Sequence, residues 1–322
     1  MKLAQLGEFG LIELLAKQIG KPASKNVLIG IGDDAAAIKL QTSNFKHQNK
    51  SKITKQKLQK LLLITTDTFV ENVHFKTKGI SYKALGEKVL AANISDIAAM
   101  GGVPTYALVT IGASKNFQAE NIELLYSGLK QLARKYQIDI IGGDTISSPK
   151  ELIISVTLLG EVEQRQLMTR GGAKPGDLVL VTGEFGGPAA QKYRVICLPA
   201  GTACYALRVT EAQTIARSRL ATAMIDSSDG LMRSVREICR QSRTGAKIWT
   251  ELVPRAAGAT PDQALNGGEE YELVLTAPKN KAIKLMELVR RRTGTKVTVV
   301  GAIAPKSAGI TPANAKGYEH FK

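Results

Sequence analysis

The sequence predicts an α+β protein of two domains, and three observations carry that reading. A length of 322 residues corresponds to about two domains of roughly 150 residues, each able to bury a core. Strand and helix signals alternate in two rounds, separated by the turn-rich run GGAKPGD at 171–177. The connections are long and mixed, which favours a layered α+β architecture over a strictly doubly wound sheet.

The first round opens at residues 8–18, which read as a short amphipathic helix. The apolar, branched runs VLIGIG (27–32), AAAIKL (35–40) and KLLLITTD (60–67) read as strands. Residues 81–100 predict a long helix with Leu85, Val89, Ile94 and Ile97 on its inner side. A strand at 105–113 and a helix at 119–136 follow. A buried strand at 138–144 ending in a glycine turn and a strand at 151–162 complete the round. The second round predicts strands at 178–183, 246–252, 271–277 and 296–303, with helices at 209–222, 230–243 and 281–292. The join near 163–168 divides the chain into domains spanning 1–162 and 163–322.

Composition excludes several classes. Hydrophobic residues make up 44% of the chain, so it is globular rather than disordered. The net charge of +16 is unevenly spread, with seven lysines and no acid between Lys39 and Lys60. That run is polar and reads as an exposed loop or hairpin tip. No aromatic platform interleaves its lysines, so a nucleic-acid partner is disfavoured. Arg233, Arg236, Arg240 and Arg243 recur at helical spacing and mark the outer face of one helix. Cys197, Cys204 and Cys239 form no CxxC pair, which disfavours a disulfide framework and suits a cytoplasmic location. Glu8 and Glu13 fall where a signal peptide needs an apolar core. The longest uncharged stretch, 97–114, contains Gly101, Gly102 and Pro104 and does not fit a spanning helix, so no membrane partner is expected.

The chemistry lies in the placement of aspartates. GIGDDAA (Asp33, Asp34), LLITTDT (Asp67), IIGGDT (Asp144) and MIDSSDGL (Asp226, Asp229) end apolar runs with carboxylates, and ANISDIAAMGG places Asp96 within a helix. A buried carboxylate costs several kcal/mol unless something positive neutralises it. Taken singly, Asp33 and Asp34 read as turn residues and Asp229, before Gly230, as a helix N-cap. Five such segments together point to a cation, since Lys88 and a few remote arginines are the only candidate neutralisers. Oxygen donors without a His–Cys cluster suit Mg²⁺ shared with phosphate oxygens. Neither GxxxxGK[ST] nor GxGxxG occurs, so a nucleoside triphosphate would be held mainly through metals.

The segments GDDAA, TTDTFVENVHF, SDIAAMGGVP, GGDT, TRGGAKPGD, DSSDGL, GGEEYEL and GYEHF occur in an order that resembles the thiamine-monophosphate kinase family. That family lies in the superfamily of aminoimidazole ribonucleotide synthetase, selenophosphate synthetase and a hydrogenase maturation factor. The resemblance covers nearly the whole chain. It implies an N-terminal domain that binds ATP and forms a homodimer through its sheet, followed by a C-terminal α+β domain. The implied reaction is phosphorylation of thiamine monophosphate to thiamine diphosphate by ATP with several Mg²⁺ ions. The resemblance further implies Asp33, Thr65, Thr66, Asp67, Asp96, Asp144, Asp226 and Asp229 as magnesium ligands. It implies Tyr126, Gly143, Asp144, Arg170 and Ser228 as ATP contacts, and His74, Glu269 and Tyr318 as substrate contacts. No catalytic base is expected, because a phosphate monoester is already largely an anion at neutral pH.

The sequence departs from the family pattern at Glu270, where Asp is usual, in GEFGGPA (183–189), in the remodelled segment 197–213, and in the longer lysine-rich insertion at 41–60. Within the superfamily, selenophosphate synthetase would need a reactive Cys near the N-terminus, and the maturation factor a cysteine-bearing tail. An aminoimidazole ribonucleotide synthetase-like enzyme is the nearest alternative, against which VHF and SDIAAMGG favour the thiamine enzyme. A basic nucleic-acid-binding protein and a catalytically inactive structural dimer are the alternatives from other classes.

Overall fold

The computed structural model describes residues 3–20, 22, 24–40, 59–193, 206–313 and 317–320. Most of the lysine-rich run (41–58) and the segment 194–205, with Cys197 and Cys204, lie outside the described residues.

The first half contains α1 (Leu3–Ile19), β1 (Val27–Ile29), β2 (Ala36–Lys39), β3 (Lys60–Val70), α2 (Tyr82–Ala99), β4 (Val103–Ala113), α3 (Ala119–Tyr136), β5 (Asp139–Ser147) and β6 (Ile153–Glu163). Its six strands pair in the order β1-β2-β3-β6-β4-β5, antiparallel except for the parallel β4–β5 pair. Helix α2 starts at Ser81, whose hydroxyl accepts from the Ala84 N–H and satisfies one donor of the first turn. It packs on the inner face of β3, β4 and β6, and α3 packs behind it. Leu85, Val89, Ile94 and Ile97 are fully buried, as their spacing predicts. Gly86 and Gly128 allow the two helices to touch backbone to backbone: a Cβ on Gly86 would lie 2.0 Å from the Leu125 carbonyl oxygen.

The outer face of this sheet carries no described helix. The register aligns Thr66 with Thr157 and Leu108, and aligns Thr68 with Ser155, Thr110 and Asp144. Tyr106, Leu108 and Ile146 on this face are exposed.

The second half contains β7 (Asp177–Thr182), α4 (Gly187–Ala190), α5 (Val209–Ser218), β8 (Ala223–Asp226), α6 (Leu231–Ser242), β9 (Gly245–Ile248), α7 (Pro261–Asn266), β10 (Leu273–Pro278), α8 (Lys279–Thr293), β11 (Val297–Ala304) and β12 (Ile310–Thr311). Its sheet runs β12-β9-β11-β7-β10-β8. Strand alternation gives it two apolar faces. Leu180, Met224, Leu273 and Leu275 join α5, α8 and the α2 side in one core that crosses the junction between the sheets. Val179, Val181, Ile225 and Val274 face α6 and α7 in a second core. No described helix is long and apolar enough to cross a membrane.

Several predicted elements need correction. The helix expected at 209–222 stops at Ser218, where Arg219 turns left-handed, and the buried run Ala223–Asp226 forms strand β8 instead. The strand expected at 246–252 ends at Ile248, and Thr250–Leu252 forms a 3₁₀ turn before Pro254. Helix α1 starts at Leu3 rather than residue 8 and breaks at Gly7, whose φ is 71°. The strand expected at 138–144 is neither buried nor closed by a glycine turn; β5 is an exposed edge strand that continues to Ser147. Ile141 is an extra residue opposite the Ala107–Leu108 step of β4, which makes that stretch a bulge.

Candidate functional site

The last turns of α2 meet the end of β8, and the carboxylates converge there. On β3 the inward positions Leu61, Leu63 and Thr65 lead to Asp67, so the strand period carries a polar pair into the junction. The Thr65 hydroxyl donates to Asp96 Oδ2 at 2.7 Å, and the Ser95 hydroxyl to Asp226 Oδ2 at 2.6 Å. Asp34, Asp96 and Asp226 each present an oxygen within 4.8 Å of the others. Arg170 holds Asp34 through Nε at 3.1 Å and its terminal nitrogen at 2.5 Å, while its backbone N–H donates to the Asp33 carboxylate. The Ser228 hydroxyl donates to Asp226 Oδ1 at 3.3 Å.

Burial dominates the electrostatics. It pushes Asp33 up to about 7, with Asp34 adding repulsion, and Asp226 up to about 7, again with Asp34 opposing a second charge. Asp67 rises to about 6 through burial and then Asp229; Asp229 rises to about 6 through burial and then Glu8. Burial also lifts Asp34, and it lifts Asp96 well above the usual carboxylate range, with Asp67 and Asp226 adding repulsion. Among the described residues, two guanidinium groups face these six carboxylates. Arg170 lies among them, and Arg233 lies near Asp229 but is committed to Glu319 at 3.1 Å and stacked 3.6 Å over the Phe9 ring. Lys88, a sequence candidate for neutralising the aspartates, instead pairs with Glu269.

The donor set fits a hard divalent cation. Asp34 Oδ2 is buried without a hydrogen-bond partner, the three closest donors are carboxylate oxygens, and neighbouring positive charge is too scarce to balance them. Asp34 is the residue that sequence reasoning passed over. In GDDAA two adjacent acids look alike, and only the fold shows that Asp34 joins Asp96 and Asp226 while Asp33 receives backbone N–H groups.

Other predicted residues fall elsewhere. Thr66 points to the outer face, where its hydroxyl bonds the Val156 carbonyl and Thr157. Asp144 lies on that same face of β5, exposed, three strands from Thr68 and thus about 14 Å from that strand by the spacing of a sheet. Its carboxylate accepts from the Thr145 N–H. Within one chain neither residue reaches the inner-face cluster. Gly143 is its neighbour on the edge strand, and a Cβ there would lie 1.7 Å from the Val109 carbonyl oxygen. Tyr126 is half-buried on α3 against the first core.

His74, Glu269 and Tyr318 border the cluster together. The Val70 N–H donates to His74 Nδ1 at 3.0 Å, which leaves the neutral ring its proton on Nε2, facing His320 Nε2 at 3.4 Å. Burial and then the His320 charge hold the His74 pKa below its ordinary value. Tyr318 donates its backbone N–H to the Asp229 carbonyl and places its hydroxyl 3.2 Å from His320 Nδ1. The His320 N–H in turn donates to Glu8, so α1 and the tail at 317–320 meet beside Asp229. Glu270 is half-buried, accepts from the Gly186 N–H and is pushed up to about 7 by desolvation.

Known proteins are similar to this chain in sequence and in fold. Residues 32–162 match the family described as AIR synthase related protein, N-terminal domain, and residues 174–311 match its C-terminal domain. A thiamine-monophosphate kinase of Bacillus subtilis (strain 168) is 32% identical, with 98% of this chain and 100% of the relative covered. The chain belongs to the thiamine-monophosphate kinase family. A further member, from Aquifex aeolicus (strain VF5), is 30% identical over the full length of both chains. The solved structure of AaThiL complexed with AMPPCP and TMP covers 99% of each chain, with 28% identity and a TM-score of 0.78. The thiamine-monophosphate kinase of Stenotrophomonas maltophilia K279a covers 95% of this chain and 96% of its own, with 26% identity and a TM-score of 0.70. The hydrogenase maturation protein HypE of E. coli, 18% identical with a TM-score of 0.64, covers 80% of this chain and 84% of its own and shares the fold.

Proposed function

We propose that this chain transfers the terminal phosphoryl group of ATP to thiamine monophosphate, giving thiamine diphosphate. The observation that carries the proposal is the convergence of the Asp34, Asp96 and Asp226 carboxylates at one junction, with Asp33, Asp67 and Asp229 near them, in a chain of this family. Mg²⁺ would be held by Asp34, Asp96 and Asp226, with Asp33, Asp67, Asp229 and Thr65 around them. When bound, the ions supply neutralisation of donor and acceptor phosphates and alignment for in-line displacement.

The chain's own residues bind and orient. Arg170 presents a planar, two-pronged cation suited to a phosphate, and it already sits against Asp34. The Ser228 hydroxyl lies beside Asp226 within donor reach of a phosphate held there. His74, Glu269 and Tyr318 form a wall for the acceptor, and the exposed Tyr318 ring offers its face to the cationic thiazolium, a contact worth about 0.5–2 kcal/mol. No side chain is needed as a base, because the acceptor oxygen is anionic at neutral pH.

We divide the chain into a nucleotide-binding unit at 1–162 and a completing unit at 163–322, each organised around one sheet. We assign the uncovered outer face of the first sheet, with Tyr106, Leu108 and Ile146, to pairing with a second copy. The ligand roles implied for Thr66, Gly143 and Asp144 then belong to a site completed across that pairing, because one chain keeps them from the inner-face carboxylates. For Tyr126 the support as a nucleotide contact is the resemblance alone. A cytoplasmic location suits Cys239, a free buried thiol. The test is incubation with γ-labelled ATP, Mg²⁺ and thiamine monophosphate. Label in thiamine diphosphate is the expected result; transfer only to another acceptor contradicts the substrate assignment.

A further inference from the structure

We propose that Lys88 is a positioning residue for the acceptor wall, acting through a buried ion pair with Glu269 that bridges the two halves of the chain. Its side chain is 2% exposed, and its Nζ lies 2.5 Å from Glu269 Oε1 and 3.2 Å from the His74 carbonyl oxygen. One ammonium group therefore bonds two segments distant in sequence. Both border the acceptor in the function proposed above, and the inference rests on that reading.

A buried ammonium is a costly way to fill space, since an apolar side chain of similar length fills it without a desolvation penalty. The rest of the buried surface of α2 is largely apolar, including Leu85, Val89 and Leu90. Glu269 also sits at a φ of 66°, a region that non-glycine residues seldom adopt. Its N–H donates to the Ser228 carbonyl, and a Cβ on the preceding Gly268 would lie 2.4 Å from that same oxygen. The loop at 267–271 is thereby pressed against the segment carrying Asp226 and Asp229. Glu269 keeps a quarter of its side chain exposed, with one oxygen held by Lys88.

Lys88 and Ser95 lie seven residues apart on α2, two turns along one stripe and about 10.5 Å along the axis. Lys88 holds the acceptor wall and Ser95 holds Asp226, so one rigid helix sets the distance between the acceptor and the carboxylate cluster. In-line transfer is sensitive to a misplacement of about 1 Å, which gives that spacing kinetic weight.

The experiment compares Lys88→Met, Lys88→Arg, Glu269→Gln and the Lys88→Met/Glu269→Gln pair in steady-state kinetics with ATP and thiamine monophosphate. Lys88→Met is expected to raise KM for thiamine monophosphate at least about tenfold while KM for ATP stays within about twofold. Lys88→Arg should restore most of the loss, and the double variant should be no worse than Lys88→Met alone. An equal rise in both KM values, an unchanged KM for the acceptor, or additive losses in the double variant would overturn the proposal. If Lys88→Met does not fold, Glu269→Gln, which removes the charge and leaves the packing, must show the same split. If the wild-type protein transfers nothing to thiamine monophosphate, the functional reading fails, and amide hydrogen exchange reads the inference alone. Faster exchange confined to 70–75 and 267–271 in Lys88→Met or Glu269→Gln supports it; unchanged or uniformly faster exchange removes it.

Discussion

The two faces of the first sheet are made by the same strands and carry opposite chemistry. On β3, Leu61, Leu63, Thr65 and Asp67 turn inward, while Thr66 and Thr68 turn outward one residue away. Inward, carboxylates crowd together with Arg170 paired to Asp34, and burial raises Asp67 to about 6. Outward, Thr66 bonds Thr157 and the Val156 carbonyl, and Thr68 donates to Ser155, beside exposed Tyr106, Leu108 and Ile146. A period of two thus places the proposed cation site and the proposed pairing surface back to back. The inner face gathers carboxylates, whereas the outer face leaves apolar area uncovered.

The sharpest way to separate the faces is one substitution on each. Asp96→Asn on the inner face should lower turnover by about 10²–10³-fold, the scale of losing metal-assisted charge stabilisation. The metal-free variant should melt no lower than wild type, because a buried repulsive charge is gone. Full activity in this variant would remove Asp96 from the site. On the outer face, Leu108→Asp should convert the proposed dimer to monomer in sedimentation while the Mg²⁺-dependent thermal shift persists. An unchanged sedimentation coefficient would break the assignment of that face.

A pH series sharpens the contrast further. Asp33 and Asp226, raised to about 7, hold protons in the folded metal-free protein at pH values where the unfolded chain, with an ordinary value of 3.8, has released them. The folded state binds more protons, so stability falls as pH rises from about 4 to 7 and stays low above that window. Melting temperature without metal should therefore be lower at pH 8 than at pH 6, and saturating Mg²⁺ should flatten the slope. Leu108→Asp should keep the slope and Asp226→Asn should weaken it. The smallest effect is expected from Ser95→Ala, which removes the 2.6 Å bond to Asp226 and should cost about tenfold in turnover, equivalent to about 1–1.5 kcal/mol.

Much of this was legible from residue order. Carboxylates ending apolar runs singled out Asp67 and Asp226, and a carboxylate within a helix singled out Asp96, since such placements are expensive without a cation. The long α2 was visible in Leu85, Val89, Ile94 and Ile97. Strand β8 was not, because four buried residues, Ala223–Asp226, are too few for a period of two to stand apart from a helix turn. Asp34 was hidden by its neighbour Asp33, and the faces of Thr66 and Asp144 depend on register across β6 and β4, which no local pattern fixes. Lys88 read as a neutraliser of the aspartates. Its true partner, Glu269, lies 181 residues away.

Everything proposed for the inner face depends on its carboxylates holding a divalent cation. Crystals grown with Mn²⁺ and a non-hydrolysable ATP analogue test it most directly through anomalous density. A peak is expected within bonding distance of Asp34, Asp96 and Asp226, at the junction of α2 and β8. Bound nucleotide with those three carboxylates free of metal, and manganese absent or elsewhere, would contradict it.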